Sequence, residues 1–279
     1  MPRYTFHSDN FYITHTIEEE GPHPTIPSDH YDENYSITII FEGSGICSVE
    51  GTPYPLSPGT ILVISPDEIR YFQLDQVGRH ERMTLYFSEA IATSLLGYEM
   101  PVLERFVSNP SVGGNWFSSD RYDRDTILPI IEQIRLMLSS DTEMKGPRLH
   151  LLILQLLFAL YDSVKECTEM PLLYKQDVAI QEICKYIKTH LNEDLSHQFF
   201  KEHFFVSHHQ LTKKFRQQTG MTLIKYINTK RLVHAVSLIR TGQQCETAAY
   251  NSGFNSYCHF YKEFVKFFGT SPTRYFKSK

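Results

Sequence analysis

Between residues 35 and 74 the chain is cut into short β-rich runs by closely spaced turn residues. Ser36-Ile-Thr-Ile-Ile-Phe41 is followed by Gly43-Ser-Gly45, then by Ile46-Cys-Ser-Val49 and Glu50-Gly51, with further turns at Ser57-Pro58-Gly59 and Ser65-Pro66-Asp67. Short strands punctuated by Gly and Pro predict a β-sandwich or small barrel, whose interior is either solid core or a pocket for one small ligand. Tyr35, Ile37, Ile39 and Phe41 alternate on one strand and are the candidate lining of such a pocket. Their apolar character suits plain core better. After Asp125 the period changes: Ile127, Ile131, Ile134 and Leu138 form one stripe of an amphipathic helix. A second helix over 149–164 carries Leu149, Leu152, Ile153, Leu156, Leu157 and Leu160, a stripe too wide for a single neighbour. Either a subunit interface or the helix's own domain covers it. Polar, Pro-containing sequence over 166–176 reads as a linker. Three segments result: a β-rich domain over 1–124, a helical dimerisation or support segment over 125–170, and a further domain over 171–279.

That last domain contains a repeat. Placing Ser207 over Ser256, 49 positions on, brings Leu211 over Phe260, Lys213 over Lys262, Phe215 over Phe264, Gly220 over Gly269 and Tyr226 over Tyr275 without a gap. Ser207 is a good helix N-cap, Gln210 completes a capping box, and Gly220 marks the stop. At 100° per residue Leu211 and Phe215 fall on one face. His208, His209, Thr212, Lys213 and Arg216 fall on the other. The second copy presents Tyr257, Cys258, Tyr261, Lys262 and Val265 there. Each capped helix follows a shorter helical stretch and a tight turn, at 196–206 and 245–255, which is the pattern of a helix-turn-helix. The segment 223–239, with Leu232, Ala235, Val236 and Ile239 at helical spacing, predicts a long helix that fixes the distance between the two units.

Charge sharpens the picture. The chain's net −5 hides a division at Met170: residues 1–170 hold 11 Lys and Arg against 25 Asp and Glu, whereas 171–279 hold 16 against 7. An acidic domain joined to a basic one predicts that only the second meets a polyanion. The five cysteines are odd in number and scattered, which suits reduced thiols; no apolar segment opens the chain and no run is long enough to cross a bilayer. A cytoplasmic protein that makes no membrane contact is expected.

On these residues the stretch from about 177 to 276 resembles the paired helix-turn-helix domain of the AraC/XylS family of transcriptional regulators. Its carriers are Ser207, Leu211, Phe215 and Gly220, then Tyr226-Ile227-Asn228, Arg231-Leu232, Ala235 and Leu238, then Ala248-Ala249, Gly253-Phe254, Phe260, Phe264, Gly269-Thr-Ser-Pro272 and Tyr275. The β-rich half is similar to the cupin-like effector domain of many members, through Gly43-Ser-Gly45, Gly51 and Leu56-Ser-Pro-Gly59. The resemblance implies an α+β multidomain chain: an N-terminal cupin-like β-barrel with flanking helices, and a C-terminal all-α domain of two helix-turn-helix motifs, about 196–219 and 245–268, joined by a long helix. It also implies that His209, Thr212 and Lys213, with His208, Lys214 and Arg216 nearby, and Tyr257, Cys258, His259, Tyr261 and Lys262 approach DNA. Lys213 and Lys262 lead, because a cation there reaches guanine or phosphate. Three positions depart from the family pattern: Lys201 replaces a small alanine, Phe205 a turn glycine and Phe276 an arginine.

The expected partners are promoter DNA read in the major groove, a small effector that is sugar-like or another metabolite, a second copy of the chain, and RNA polymerase. Activation is the family's commoner mode. A ligand-independent regulator is the alternative. A cupin-type metal enzyme is a weaker one: the first domain has no His-x-His, its His23, His30 and His80 lack ligand spacing, and Arg70 stands where a late strand would offer histidine. No phosphate loop or nucleophile elbow is present, so neither catalysis nor a cofactor is expected.

Overall fold

The computed structural model describes residues 2–8, 10–18, 32–75, 78–88, 91, 116–120, 122–166 and 178–277. They fall into two compact units, Met1–Val49 with Pro53–Lys175 and Glu50–Thr52 with Gln176–Lys279.

In the first unit the strands are β1 (Pro2–His7), β2 (Phe11–Glu18), β3 (Tyr35–Glu42), β4 (Gly45–Val49), β5 (Thr52–Leu56), β6 (Ile61–Ile64), β7 (Arg70–Leu74), β8 (His80–Phe87) and β9 (Trp116–Phe117). They build a six-stranded sheet in the order β1-β2-β8-β3-β6-β9 and a three-stranded sheet in the order β5-β4-β7. The large sheet carries two helices, α1 (Arg124–Ser139) and α2 (Lys145–Glu166), on one face. Asp123 caps α1 by accepting from the Asp125 amide, and Ile127, Ile131, Ile134 and Leu138 are all buried.

Period 2 explains the layering. Odd positions of β3 and β8 (Ile37, Ile39, Met83, Leu85, Phe87) pack under Ile127, Ile131, Leu149, Ile153, Leu156 and Leu160 of the helices. Each fully buried aliphatic side chain there is worth about 1.5–3 kcal/mol of removed apolar surface. The next residue along, Ile40, turns to the other face and meets Cys47, Val49, Tyr54, Leu56, Leu62, Ile64, Phe72 and Trp116 in the core between the sheets.

In that layering the four candidate lining residues fall on the helix-covered side of the large sheet or at its margin. Ile37 and Ile39 are sealed beneath α1 and α2, the Tyr35 ring stacks on Phe87 at 5.6 Å, and Phe41 lies against the edge of His15 and under the Arg135 guanidinium. None of the four joins the core between the sheets. The stripe of α2 is likewise covered within its own unit, with Leu149, Ile153, Leu156, Leu157 and Leu160 buried. The apolar residues α2 leaves outside are instead Leu151, 59% exposed, and Phe158, 41% exposed.

The second unit is all helical: α3 (Val178–Thr189), α4 (His197–Phe204), α5 (His208–Thr219), α6 (Leu223–Arg240), α7 (Cys245–Asn251), α8 (Tyr257–Phe268) and α9 (Pro272–Lys277). The helix α6 is packed on several sides, burying Leu223, Tyr226, Ile227, Leu232, Val233, Ala235 and Val236 together with the polar Thr229 and Lys230. Its first half meets α5 through the Phe215–Tyr226 ring pair at 5.3 Å. Its second half joins Ala249, Phe254, Phe260 and Phe264 in one cluster.

Candidate nucleic-acid interface

Two short helix pairs, α4–α5 and α7–α8, stand at the two ends of α6. Ser196 caps α4 by accepting from the Phe199 amide, and Ser256 caps α8 by accepting from the His259 amide, both at 3.2 Å. Ser207 accepts the first helical hydrogen bond of α5 through its backbone carbonyl; the side chain of Gln210 lies outside the described residues. Gly220 and Gly269 end α5 and α8 at φ +75° and +70°.

The repeat sorts inside from outside. Leu211, Phe215, Phe260 and Phe264 are fully buried. On α5, His208, His209, Thr212, Lys213, Lys214 and Arg216 are exposed, and on α8 Cys258, His259, Tyr261 and Lys262 are exposed. Tyr257 differs: it is half-buried, its ring 5.7 Å from Phe260, so part of it belongs to the core of the second motif. Among the described residues Lys213, Arg216 and Lys262 have no carboxylate within ion-pair distance, which leaves these cations available to a polyanion. The surface of α5 is donor-rich and cationic; that of α8 mixes lysine with aromatic and thiol groups. His208 stacks on His197 at 5.3 Å, and burial, followed by the His208 charge, holds the His197 pKa below its ordinary value.

The departures from the family pattern have distinct consequences. Phe205 adopts the left-handed conformation, φ +53°, with its ring 92% exposed. Gly253 in the second turn has φ +89°, and a Cβ there would meet the Leu191 carbonyl oxygen at 2.0 Å. Lys201 is exposed on α4, so its long side chain avoids the interface that a small residue would fill. Phe276 packs against Phe264 at 6.3 Å, giving the last cluster apolar area in place of a charge.

Cys47, Cys184, Cys245 and Cys258 are free thiols, and Cys167, His23 and His30 lie outside the described residues. His80 Nε2 donates to the Asp75 carbonyl at 3.0 Å, and no group of three metal ligands occurs among the described residues. No helix among them is long and apolar enough to cross a membrane.

Both halves of the chain match known family models. Residues 15–142 match the family described as the AraC-like ligand binding domain, and residues 201–278 match one described as a helix-turn-helix domain. The HTH-type transcriptional activator RhaS of Citrobacter koseri is 24% identical over 266 residues, 92% of this chain and 89% of that protein. The protein of the same name from Escherichia fergusonii is 27% identical over 283 residues, 95% and 94% of the two chains. Among solved structures, ToxT from Vibrio cholerae aligns over 96% of this chain and 98% of its own at 15% identity, with a TM-score of 0.41.

Proposed function

The chain belongs to the AraC/XylS family of transcriptional regulators, and from that premise we propose how its DNA-binding half, its ligand-binding half and its outer helix divide the work. The helices α5 and α8 enter consecutive major-groove segments on one face of a promoter. The observation that carries this reading is the pair of exposed, same-register faces held at the two ends of one buried helix. Its 18 residues span about 27 Å, compared with about 34 Å for a turn of DNA. His209, Thr212 and Lys213, flanked by His208, Lys214 and Arg216, meet the first segment; Tyr257, Cys258, His259, Tyr261 and Lys262 meet the second. Lysine at the shared offset takes guanine O6/N7 or a phosphate, while Tyr261 and Cys258 offer apolar contact to a thymine methyl.

A small effector, sugar-like or another metabolite, occupies the first unit and changes how many recognition helices engage at once. Two chains pair through the outer face of α2, where Leu151 and Phe158 lie two turns apart and exposed. The relatives' name, transcriptional activator, supports activation, and the reading adds RNA polymerase as the partner on cytoplasmic DNA.

The experiment is a titration of the full-length chain with promoter-upstream and random duplexes at two salt concentrations. Promoter preference together with affinity that falls steeply with salt supports the reading, because neutralised phosphates release counterions. Absence of binding to every duplex at low salt overturns it.

A further inference from the structure

The two faces of the large sheet differ in a way that core formation does not require. On the face opposite α1 and α2, the register aligns Tyr12 with Tyr86 and Tyr86 with Ser36 in one row, and Thr14 with Thr84 and Thr84 with Thr38 in the next. Continuing across β6, the same rows become Ile64 and Leu62, which belong to the apolar core between the sheets. Hydroxyls thus carpet β2, β8 and the start of β3, yet Ser36, Thr38 and Thr84 are buried. Thr38 and Thr84 bond to each other at 3.1 Å, and the Tyr12 and Tyr86 rings stack at 4.2 Å while remaining half-exposed.

Into this surface β7 projects Arg70, only 4% exposed. Its Nη1 donates to Ser36 Oγ at 3.2 Å, and its Cζ lies 5.7 Å from the centre of the Tyr86 ring. A guanidinium has five donors and cannot shed its charge, and a buried charge without a counter-charge is strongly unfavourable. No carboxylate reaches ion-pair distance of Arg70 among the described residues. Asp32 accepts from the Tyr12 hydroxyl at 2.6 Å and from Asn34, and Glu68 accepts from the Ser65 amide. The neighbouring Cys47 thiol, pushed up to about 12 by burial, supplies no thiolate.

We infer that Arg70 and Ser36 hold the carboxylate of the effector, a polyhydroxylated acid of the sugar-acid class. Its body lies along Tyr12 and Tyr86, with its hydroxyls over the Thr14, Thr38 and Thr84 row. Aromatic faces suit the C–H surface of a sugar, threonine and tyrosine hydroxyls exchange hydrogen bonds with its alcohols, and the guanidinium fork matches a carboxylate. This rests on the reading of the first unit as an effector domain and names the ligand's chemistry.

The test is isothermal titration of the full-length chain with D-glucuronate, D-galacturonate and D-gluconate, each against its uncharged counterpart, D-glucose, D-galactose and D-glucitol, at constant ionic strength. At least one acid binds and its neutral counterpart binds at least tenfold more weakly. Arg70→Met abolishes that binding and keeps or raises the ligand-free Tm, because it removes an uncompensated charge. Arg70→Lys, which keeps the charge and loses the fork, weakens binding about tenfold or more. Three results overturn the inference: no acid binds, acid and neutral counterpart bind alike, or Arg70→Met lowers the ligand-free Tm by more than about 4 °C, the mark of a structural arginine. Wild-type promoter binding is measured separately, so a chain that binds its promoter but no sugar acid loses this inference alone.

Discussion

The two helix-turn-helix motifs share a register and part company at the turn. Both turns need a left-handed residue; the second supplies Gly253 and the first supplies Phe205. Gly253 has no substitute, since its position faces the Leu191 carbonyl at a distance no Cβ tolerates and Arg231 Nε is bound to the same oxygen at 3.0 Å. Phe205 points into open space, so its side chain meets no obstacle and only the backbone is strained. The same conformation is thus imposed by packing in one motif and merely accepted in the other. The outer faces differ in parallel: α5 is cationic and donor-rich, α8 is partly aromatic with Tyr257 anchored in the core. The first motif suits phosphate and guanine, and the second adds apolar readout.

The largest way to break this comparison is Gly253→Val. Strain and the collision with Leu191 together lower stability by about 3 kcal/mol, read as a fall in the denaturation midpoint of the full chain; an unchanged midpoint removes the claim that packing dictates the second turn. Next, Lys262→Ala weakens promoter binding by about 1–3 kcal/mol without altering the melting curve. Lys213→Ala has a comparable effect and, where the contact is to phosphate, lowers the salt slope by about 1; equal affinities for wild type and either variant exclude that lysine from the interface. Smaller and opposite in sign to the valine change, Phe205→Gly raises stability by about 0.5–1 kcal/mol, and a loss of stability shows that the exposed ring is held by something other than its turn. The smallest effect concerns His197. Its pKa is lowered in the folded chain, so the unfolded chain takes up the proton first as pH falls, and stability declines below about pH 6.5. His197→Gln flattens the acid side of the Tm profile; an identical profile removes the histidine from that decline.

How much of this was legible in the sequence depended on whether one residue's surroundings were set locally. The faces of α5 and α8 were readable because 100° per residue separates Leu211 and Phe215 from Lys213 and Arg216 whatever the partner. The stop at Gly220 and the cap at Ser256 were local too. Ile37 and Ile39 were another matter: alternation says that they share a face, but β3 is buried on both faces, and only the placement of β8 beside it and of α1 and α2 over it tells which side is which. For the same reason the wide stripe of α2 gave no hint that Leu151 and Phe158, outside that stripe, are the apolar residues left uncovered. Arg70 was noticed as the absence of a histidine. Its own signal, a charge sharing the buried, even-numbered side of β7 with Phe72, needs Ser36 and Tyr86 from distant strands to acquire meaning.

The central claim is that one chain places two recognition helices on DNA at once. Hydroxyl-radical footprinting of the full-length chain on a promoter that it prefers tests this directly. The account predicts protected patches in pairs about 10 base pairs apart on one face of the duplex, with Lys213→Ala weakening one patch of each pair and Lys262→Ala the other. A single patch per chain, or one lost as a whole with either substitution, contradicts it.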